Sequence, residues 1–152
     1  MTSTHDYAAY EAKLATVAKL EAEILPQNKV ALFDALAAAG IDSVIVGFDG
    51  CGDSGQIESV MAYAADGAEI TVPTITIGMH EVIFNGPAIV VEQRSVREAI
   101  EIMVYAFLEE THDGWENDDG AYGEFIFRVR DRAISLDYNE RYTATDFSTH
   151  EF

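Results

Sequence analysis

Cysteine and basic residues are scarce in this sequence, and long apolar runs are missing. The single cysteine, Cys51, cannot form an internal disulfide, so the fold does not require an oxidising compartment. No apolar run approaches the roughly 18 residues that a transmembrane helix needs. The N-terminus also lacks a basic start followed by an apolar stretch, so it does not resemble a signal peptide. We therefore expect a cytoplasmic protein.

The shortage of bases leaves the chain strongly acidic. Nine Lys and Arg stand against 27 Asp and Glu, which gives a net charge of −18 and a pI near 4.2. Such a field repels nucleic acid and anionic membranes and attracts basic proteins or divalent cations. Solubility or a high-salt habitat is an equally simple explanation. Residues 30–93 and 98–127 contain no base, so local ion pairs cannot neutralise their acids.

What is present predicts one α+β domain over residues 1–152. A chain that is 49% hydrophobic and 11% aromatic is typical of a globular protein. The order of predicted helices and strands, with short turns between neighbouring strands, indicates the α+β class. Apolar residues at helical spacing predict two N-terminal helices, 5–25 and 27–39, separated by Pro26. Ser95 to Glu98 form a capping box that starts a third helix ending near Thr111. We expect these helices to pack on one face of an antiparallel sheet.

Alternating patterns predict the strands of that sheet. "DSVIVGFD", "QIESVMAYA" and "EITVPTITIG" are the first three, and Pro73 indicates an edge or a bulge in the third. A break at residues 85–87 precedes a short segment, "AIVVE", that is compatible with a strand. "GEFIFRVR" and "AISLDYNER" predict a C-terminal hairpin.

Two glycine-rich acidic segments attract functional interpretations. In "FDGCGDSGQIE", residues 48–58, no lysine is available for a phosphate loop. Ser54 lacks the spacing of a nucleophile elbow, and Cys51 lies in a negative neighbourhood that disfavours its thiolate. A glycine-rich hairpin loop is the simpler interpretation.

The second segment, "THDGWENDDGAYGEFIF", spans residues 111–127. It lacks the ligand spacing of an EF-hand, and the four histidines of the chain show no spacing typical of a zinc site. We predict no cofactor, no metal ligand and no catalytic residue. We expect Trp115 to anchor this segment on the core while its acids face solvent. Nearby arginines (Arg128, Arg130, Arg132, Arg141) would order it if the hairpin lies close.

The motifs "FDGCGDSGQIE", "THDGWENDDGAYGEF" and "LDYNERYTATDFSTHEF" resemble a family of small acidic bacterial proteins of unknown function, from about Ala37 onward. The resemblance implies an accessory protein of mobile DNA, since members look to be encoded largely on plasmids, integrated elements and phage-like regions. No catalytic activity comes with it.

Three functions remain open. The first is an interaction protein that inhibits a host nucleic-acid-binding or defence complex, of the anti-CRISPR or anti-restriction type, by presenting carboxylates to a basic surface. The second is a small-ligand or divalent-metal domain, with a hydrolase as one form of it, and with its site between residues 49–58 and 113–124. The third is a homodimerising domain whose charge is merely solvated. The partner-binding residues predicted for the first function are Asp113, Trp115, Glu116, Asp118, Asp119, Glu124, Asp49, Asp53 and Glu58.

Overall fold

The structure is a computed structural model that describes residues 3–52 and 54–152, with side chains from residue 6 onward. This part of the chain is α+β, as predicted. Its elements in chain order are α1 (Ser3–Ala38), β1 (Ser43–Cys51), β2 (Ser54–Tyr63), β3 (Glu69–Ile70), β4 (Thr76–Ile83), β5 (Ala88–Ser95), α2 (Val96–Thr111), β6 (Ala121–Arg128) and β7 (Ala133–Glu140).

Seven strands in the described residues form two antiparallel sheets. The larger sheet has the order β3-β2-β1-β6-β7, while β4 and β5 form a hairpin of their own. In the central strand β1, Val46 pairs with Val60 on one side and with Phe125 on the other. The register of β1 and β2 shifts between Gly47 and Phe48, which marks a β-bulge.

Both helices pack on the same face of the larger sheet. Phe33 of α1 lies 6.3 Å from Phe127 of β6 between ring centroids, and Phe107 of α2 stacks on Phe125 at 6.1 Å. Phe33, Phe125 and Phe127 are almost completely buried. Burial of these aromatic side chains joins the helices to the sheet in a single core.

The predicted break at Pro26 is wrong, because α1 is one helix of 36 residues with Pro26 inside it. A proline in a helix interior removes one hydrogen bond and costs about 3 kcal/mol. Contacts that the local pattern does not reveal offset this cost. Asn28 is buried, and its side-chain amide donates to the His80 carbonyl (3.0 Å) and accepts from the His80 N–H (2.8 Å). Leu32 and Leu36 are fully buried one and two turns later.

The third predicted strand also needs correction. Only Glu69–Ile70 pair with β2, and Pro73 lies in an irregular link before β4 begins at Thr76. The residues that follow, on both sides of the predicted break at 85–87, form the β4–β5 hairpin. Proline cannot donate to a strand ladder, so the long predicted strand ends before it.

The predictions of the third helix and of the C-terminal hairpin are confirmed. Ser95 caps α2, since the N–H of Glu98 donates to its Oγ at 3.1 Å. β6 and β7 form the expected hairpin, with Phe125 paired to Leu136. These are the elements whose signals are local in sequence.

Candidate functional site

Residues 112–120 form the connection between α2 and β6 and are called the acidic loop below. Two turns shape it: the N–H of Asn117 donates to the Gly114 carbonyl, and the N–H of Gly120 donates to the Asn117 carbonyl, both at 2.9 Å. Asp118 has a φ of 57°, a left-handed conformation that aspartate tolerates better than most residues. The loop is therefore a defined structure without regular helix or strand.

Trp115 anchors this loop on the β1–β2 hairpin. Its indole meets the Phe48 ring edge-on at 5.4 Å, and its six-membered ring lies close to Gly50 and Gly55, which are partners in the ladder. A methyl group at Gly50 would come within 2.6 Å of the indole, so the site requires glycine there. The prediction that Trp115 anchors the segment on the core is supported by its packing against the core cluster.

The backbones of the two glycine-rich segments also touch. The N–H of Gly52 donates to the Asp118 carbonyl at 3.0 Å. Gly120, with a φ of 80°, lies directly on the carbonyl of Gly50 and has no room for a side chain. Residues 49–52 and 54–58 thus form one surface with residues 113–124, and the indole and close backbone contacts fill the space between them.

Arg141 closes this surface from the C-terminal side. Its guanidinium donates to both carboxylate oxygens of Asp49 at 3.0 Å and to the Gly50 carbonyl at 3.0 Å. It lies 4.7 Å from the centre of the Tyr122 ring, and its backbone N–H donates to the Gly120 carbonyl at 2.9 Å. Hydrogen bonding to Asp49 raises the pKa of Arg141 above its ordinary value. A bidentate pair of this kind fixes orientation as well as charge.

A cavity of about 390 Å³ opens beside the acidic loop. Loop residues 112–115 and 117–120 line one side, and Tyr138 with residues 140–142 lines the other. The His112 ring stacks on Tyr138 with 3.6 Å between centroids and 5° between planes. Burial raises the pKa of the Tyr138 hydroxyl, and the nearby charges of Glu140 and Glu116 raise it further.

The predicted partner-binding residues fall into distinct settings. Asp113, Asp118 and Asp119 are exposed on the acidic loop, and Asp119 accepts a hydrogen bond from Thr143 at 2.7 Å. Glu116 is half-buried in the same loop beside Trp115. The acidic loop thus gathers five of the predicted residues.

The other predicted residues lie outside the loop. Glu124 is exposed on β6, paired with the like-charged Asp137 of β7. Glu58 is exposed at the β2 bulge, where Gln56 donates to it at 3.3 Å. The carboxylate of Asp49 is occupied by Arg141. Asp53 lies outside the described residues.

No ion pair within the described residues joins a Lys or Arg to an acid of the acidic loop. Over residues 6–52 and 54–152, the pairs join Arg94 to Glu81 and Glu98, Arg97 to Glu101, Arg132 to Asp34, and Arg141 to Asp49. Of the four arginines expected to order the loop, only Arg141 reaches this surface, and the acid it binds is Asp49. No group of three potential metal ligands is assembled within the described residues.

Sequence reasoning missed the supporting residues of the site. Tyr138 was not linked to the acidic loop, Arg141 was one of four arginines expected near it, and Gly50 with Gly55 suggested only a hairpin loop. The available signal was the "DYNERY" stretch, whose Tyr138 and Arg141 both contact this surface. Nothing local in the sequence shows that residues about 90 positions apart are partners.

The fold and site define an acidic α+β protein that exposes several carboxylates on a loop anchored to its sheet. Residues 24–152 match a family described as "Family of unknown function (DUF6878)", and the chain belongs to this family. No curated protein and no solved structure matches the chain. Among the described residues, no helix is long and apolar enough to cross a membrane.

Proposed function

We propose that the protein binds a basic surface of a nucleic-acid-binding or defence complex through the acidic loop and so inhibits that complex, in the manner of an anti-CRISPR or anti-restriction protein. The observation that carries this proposal is the exposure of Asp113, Asp118 and Asp119 and their lack of a basic partner among the described residues. They are exposed, and within the described residues no Lys or Arg forms an ion pair with them.

The geometry supports such binding because the loop is already ordered. Trp115 and the contact between Gly120 and Gly50 hold its backbone, so little conformational entropy is lost when a partner binds. Surfaces that bind phosphates are rich in Lys and Arg, and an ordered array of carboxylates competes for them. The net charge of −18 also accelerates encounter with a basic partner at low salt.

The test neutralises charge without changing shape. In the loop variant, Asp113, Asp118 and Asp119 are each replaced by Asn. The control variant replaces three exposed acids outside the loop, Glu11→Gln, Glu23→Gln and Glu69→Gln, which gives the same net charge of −15 from −18 + 3. Tagged proteins are used to capture partners from a bacterial lysate at two salt concentrations.

We expect wild type and control to capture a basic nucleic-acid-binding protein that the loop variant loses. Duplex DNA should displace that protein, and moderate salt should weaken its capture. Equal capture by the loop variant, or capture that does not change with salt, would contradict the proposal.

The cavity beside the loop supports a second candidate function, the binding of a small ligand or, although no group of three potential metal ligands is assembled within the described residues, of a divalent cation. Its volume of about 390 Å³ lies within the ordinary range of ligand sites. Mg²⁺ or Ca²⁺ at millimolar concentration should then raise the melting temperature of wild type and of the control variant, but not of the loop variant. The absence of a shift in wild type would eliminate the divalent-cation form of this candidate.

A further inference from the structure

A groove of about 620 Å³ lies between α1 and α2, with β4 as its floor. It runs along α1 from Ala18 to Asn28 and along α2 from Ile102 to Glu110. At 1.5 Å per residue these walls are about 15 Å and about 12 Å long, which corresponds to two to three helical turns. The groove therefore has the length of a short helical segment.

Apolar side chains form most of the groove. Met79 on the floor and Met103 on the wall are buried, while Ile102 remains 38% exposed beside them. Leu25 and Phe107 also contribute to the apolar lining. Methionine is unbranched and adapts to different shapes, so two methionines allow the groove to accept an inserted side chain.

The charged residues of the groove are all acidic. Glu21, Glu81, Glu109 and Glu110 line it, and no Lys or Arg is among the described residues that do. Arg94 Nε donates a hydrogen bond to the Glu81 carboxylate at 2.9 Å, so Glu81 is already paired. The remaining three glutamates, one on α1 and two on α2, form no ion pair in the described part of the chain.

We propose that this groove binds an amphipathic helix of a partner protein, with apolar side chains inserted over Met79 and Met103 and Lys or Arg side chains paired with Glu21, Glu109 and Glu110. This is the helix-in-groove mode of recognition. The charge argues for a basic partner and against a second copy of the chain, because a chain with a net charge of −18 repels itself. The proposal does not depend on the acidic loop.

The probe is a fluorescent synthetic peptide of Leu and Lys, about 18 residues long so that a helix can form. A peptide with the same Leu positions and Glu in place of Lys tests the charge. Fluorescence anisotropy measures binding. We expect the Lys peptide to bind the wild-type protein and the Glu peptide not to bind.

Filling the groove separates specific docking from general attraction. Ala22→Trp with Ala106→Trp places bulk on two exposed lining positions. The matched control, Ala9→Trp with Ala37→Trp, adds the same bulk to exposed positions of α1 outside the groove. The filled variant should bind the Lys peptide at least about tenfold more weakly, whereas the control should bind as wild type does.

A second pair of variants keeps the test valid if the filled variant misfolds. Glu21→Gln, Glu109→Gln and Glu110→Gln should weaken binding of the Lys peptide and reduce its salt dependence more than Glu11→Gln, Glu23→Gln and Glu69→Gln do. Equal effects of the two triple variants, or full affinity in a folded filled variant, would overturn the proposal. The Asp→Asn loop variant should bind the peptide normally, so failure here is distinct from failure of the loop function.

Discussion

The acidic loop has no regular secondary structure, whereas the arm, formed by α1 residues 6–25 and the β4–β5 hairpin, is almost entirely helix and strand. The loop is nevertheless fixed by close contacts of Gly50, Gly120 and Trp115. The arm exposes Tyr7 at 64% and Val91 at 56%. The presence of regular secondary structure in a segment therefore does not indicate how tightly its side chains are packed.

The contacts at the outer end of the arm, where the turn of the hairpin meets the start of α1, lie near solvent, whereas Met79 of β4 is buried. Lys13 donates to Asn85 at 3.0 Å and lies 4.6 Å above the Phe84 ring, which Tyr10 meets edge-on at 6.4 Å. Exposed polar and cation–π contacts contribute at most about 1 kcal/mol each. A two-stranded hairpin is itself only marginally stable in water. Substitutions should consequently cost much more in the loop than at the outer end of the arm.

The largest expected effect comes from Gly120→Ala. A methyl group at this position would collide with the Gly50 carbonyl at a φ of 80°, so the free energy of unfolding should fall by more than about 3 kcal/mol. Gly86→Ala in the arm is the matched control, with a φ of 75° and open space around it, and should cost about 1 kcal/mol. Chemical denaturation followed by circular dichroism gives both values. Similar losses would refute the difference between the two regions.

Trp115→Ala should have the second largest effect and lower the free energy of unfolding by about 3 kcal/mol, because it empties the space over Gly50 and Gly55. Tyr10→Ala should cost less than about 1 kcal/mol, because 52% of that side chain is already exposed. The same denaturation experiment measures both. A larger loss for Tyr10→Ala would mean that the arm is the better-packed region.

Pro26→Ala should stabilise the protein by about 1 to 2 kcal/mol. The substitution restores a backbone N–H donor to a continuous helix, and the exposed proline makes no contact that alanine would remove from the core. The melting temperature should rise. A fall would show that Pro26 has a role in the geometry of α1 beyond its local penalty.

The smallest effect concerns pH at the cavity beside the loop. Burial raises the pKa of Tyr138 above 10.0 in the folded state, so its contribution to stability is complete below pH 10 and is lost as pH rises above that value. Tyr138→Phe should abolish this part of the loss of stability at alkaline pH. Chemical denaturation of the two proteins at a series of alkaline pH values measures it, and an equal loss of stability in both proteins would contradict the assignment.

Sequence reasoning succeeded where the signals are local. Ser95 and Glu98 are three residues apart, and the β6–β7 hairpin joins neighbouring segments, so both could be predicted from nearby residues alone. It failed at Pro26, because the contacts of Asn28 with His80 link residues 52 positions apart. The acids of the loop could be selected from composition, but their common support on Gly50, Gly55 and Arg141 could not.

The amino-acid sequence by itself determined the net charge of −18, the α+β class, the capped helix and the C-terminal hairpin, because composition and short-range spacing are sufficient for these. Tertiary structure alone decided that α1 continues through Pro26, that the two glycine-rich segments form one surface, and that a groove remains between α1 and α2. The reason is physical: such features depend on contacts between distant residues, whose burial outweighs local preference and leaves no periodic trace in the sequence.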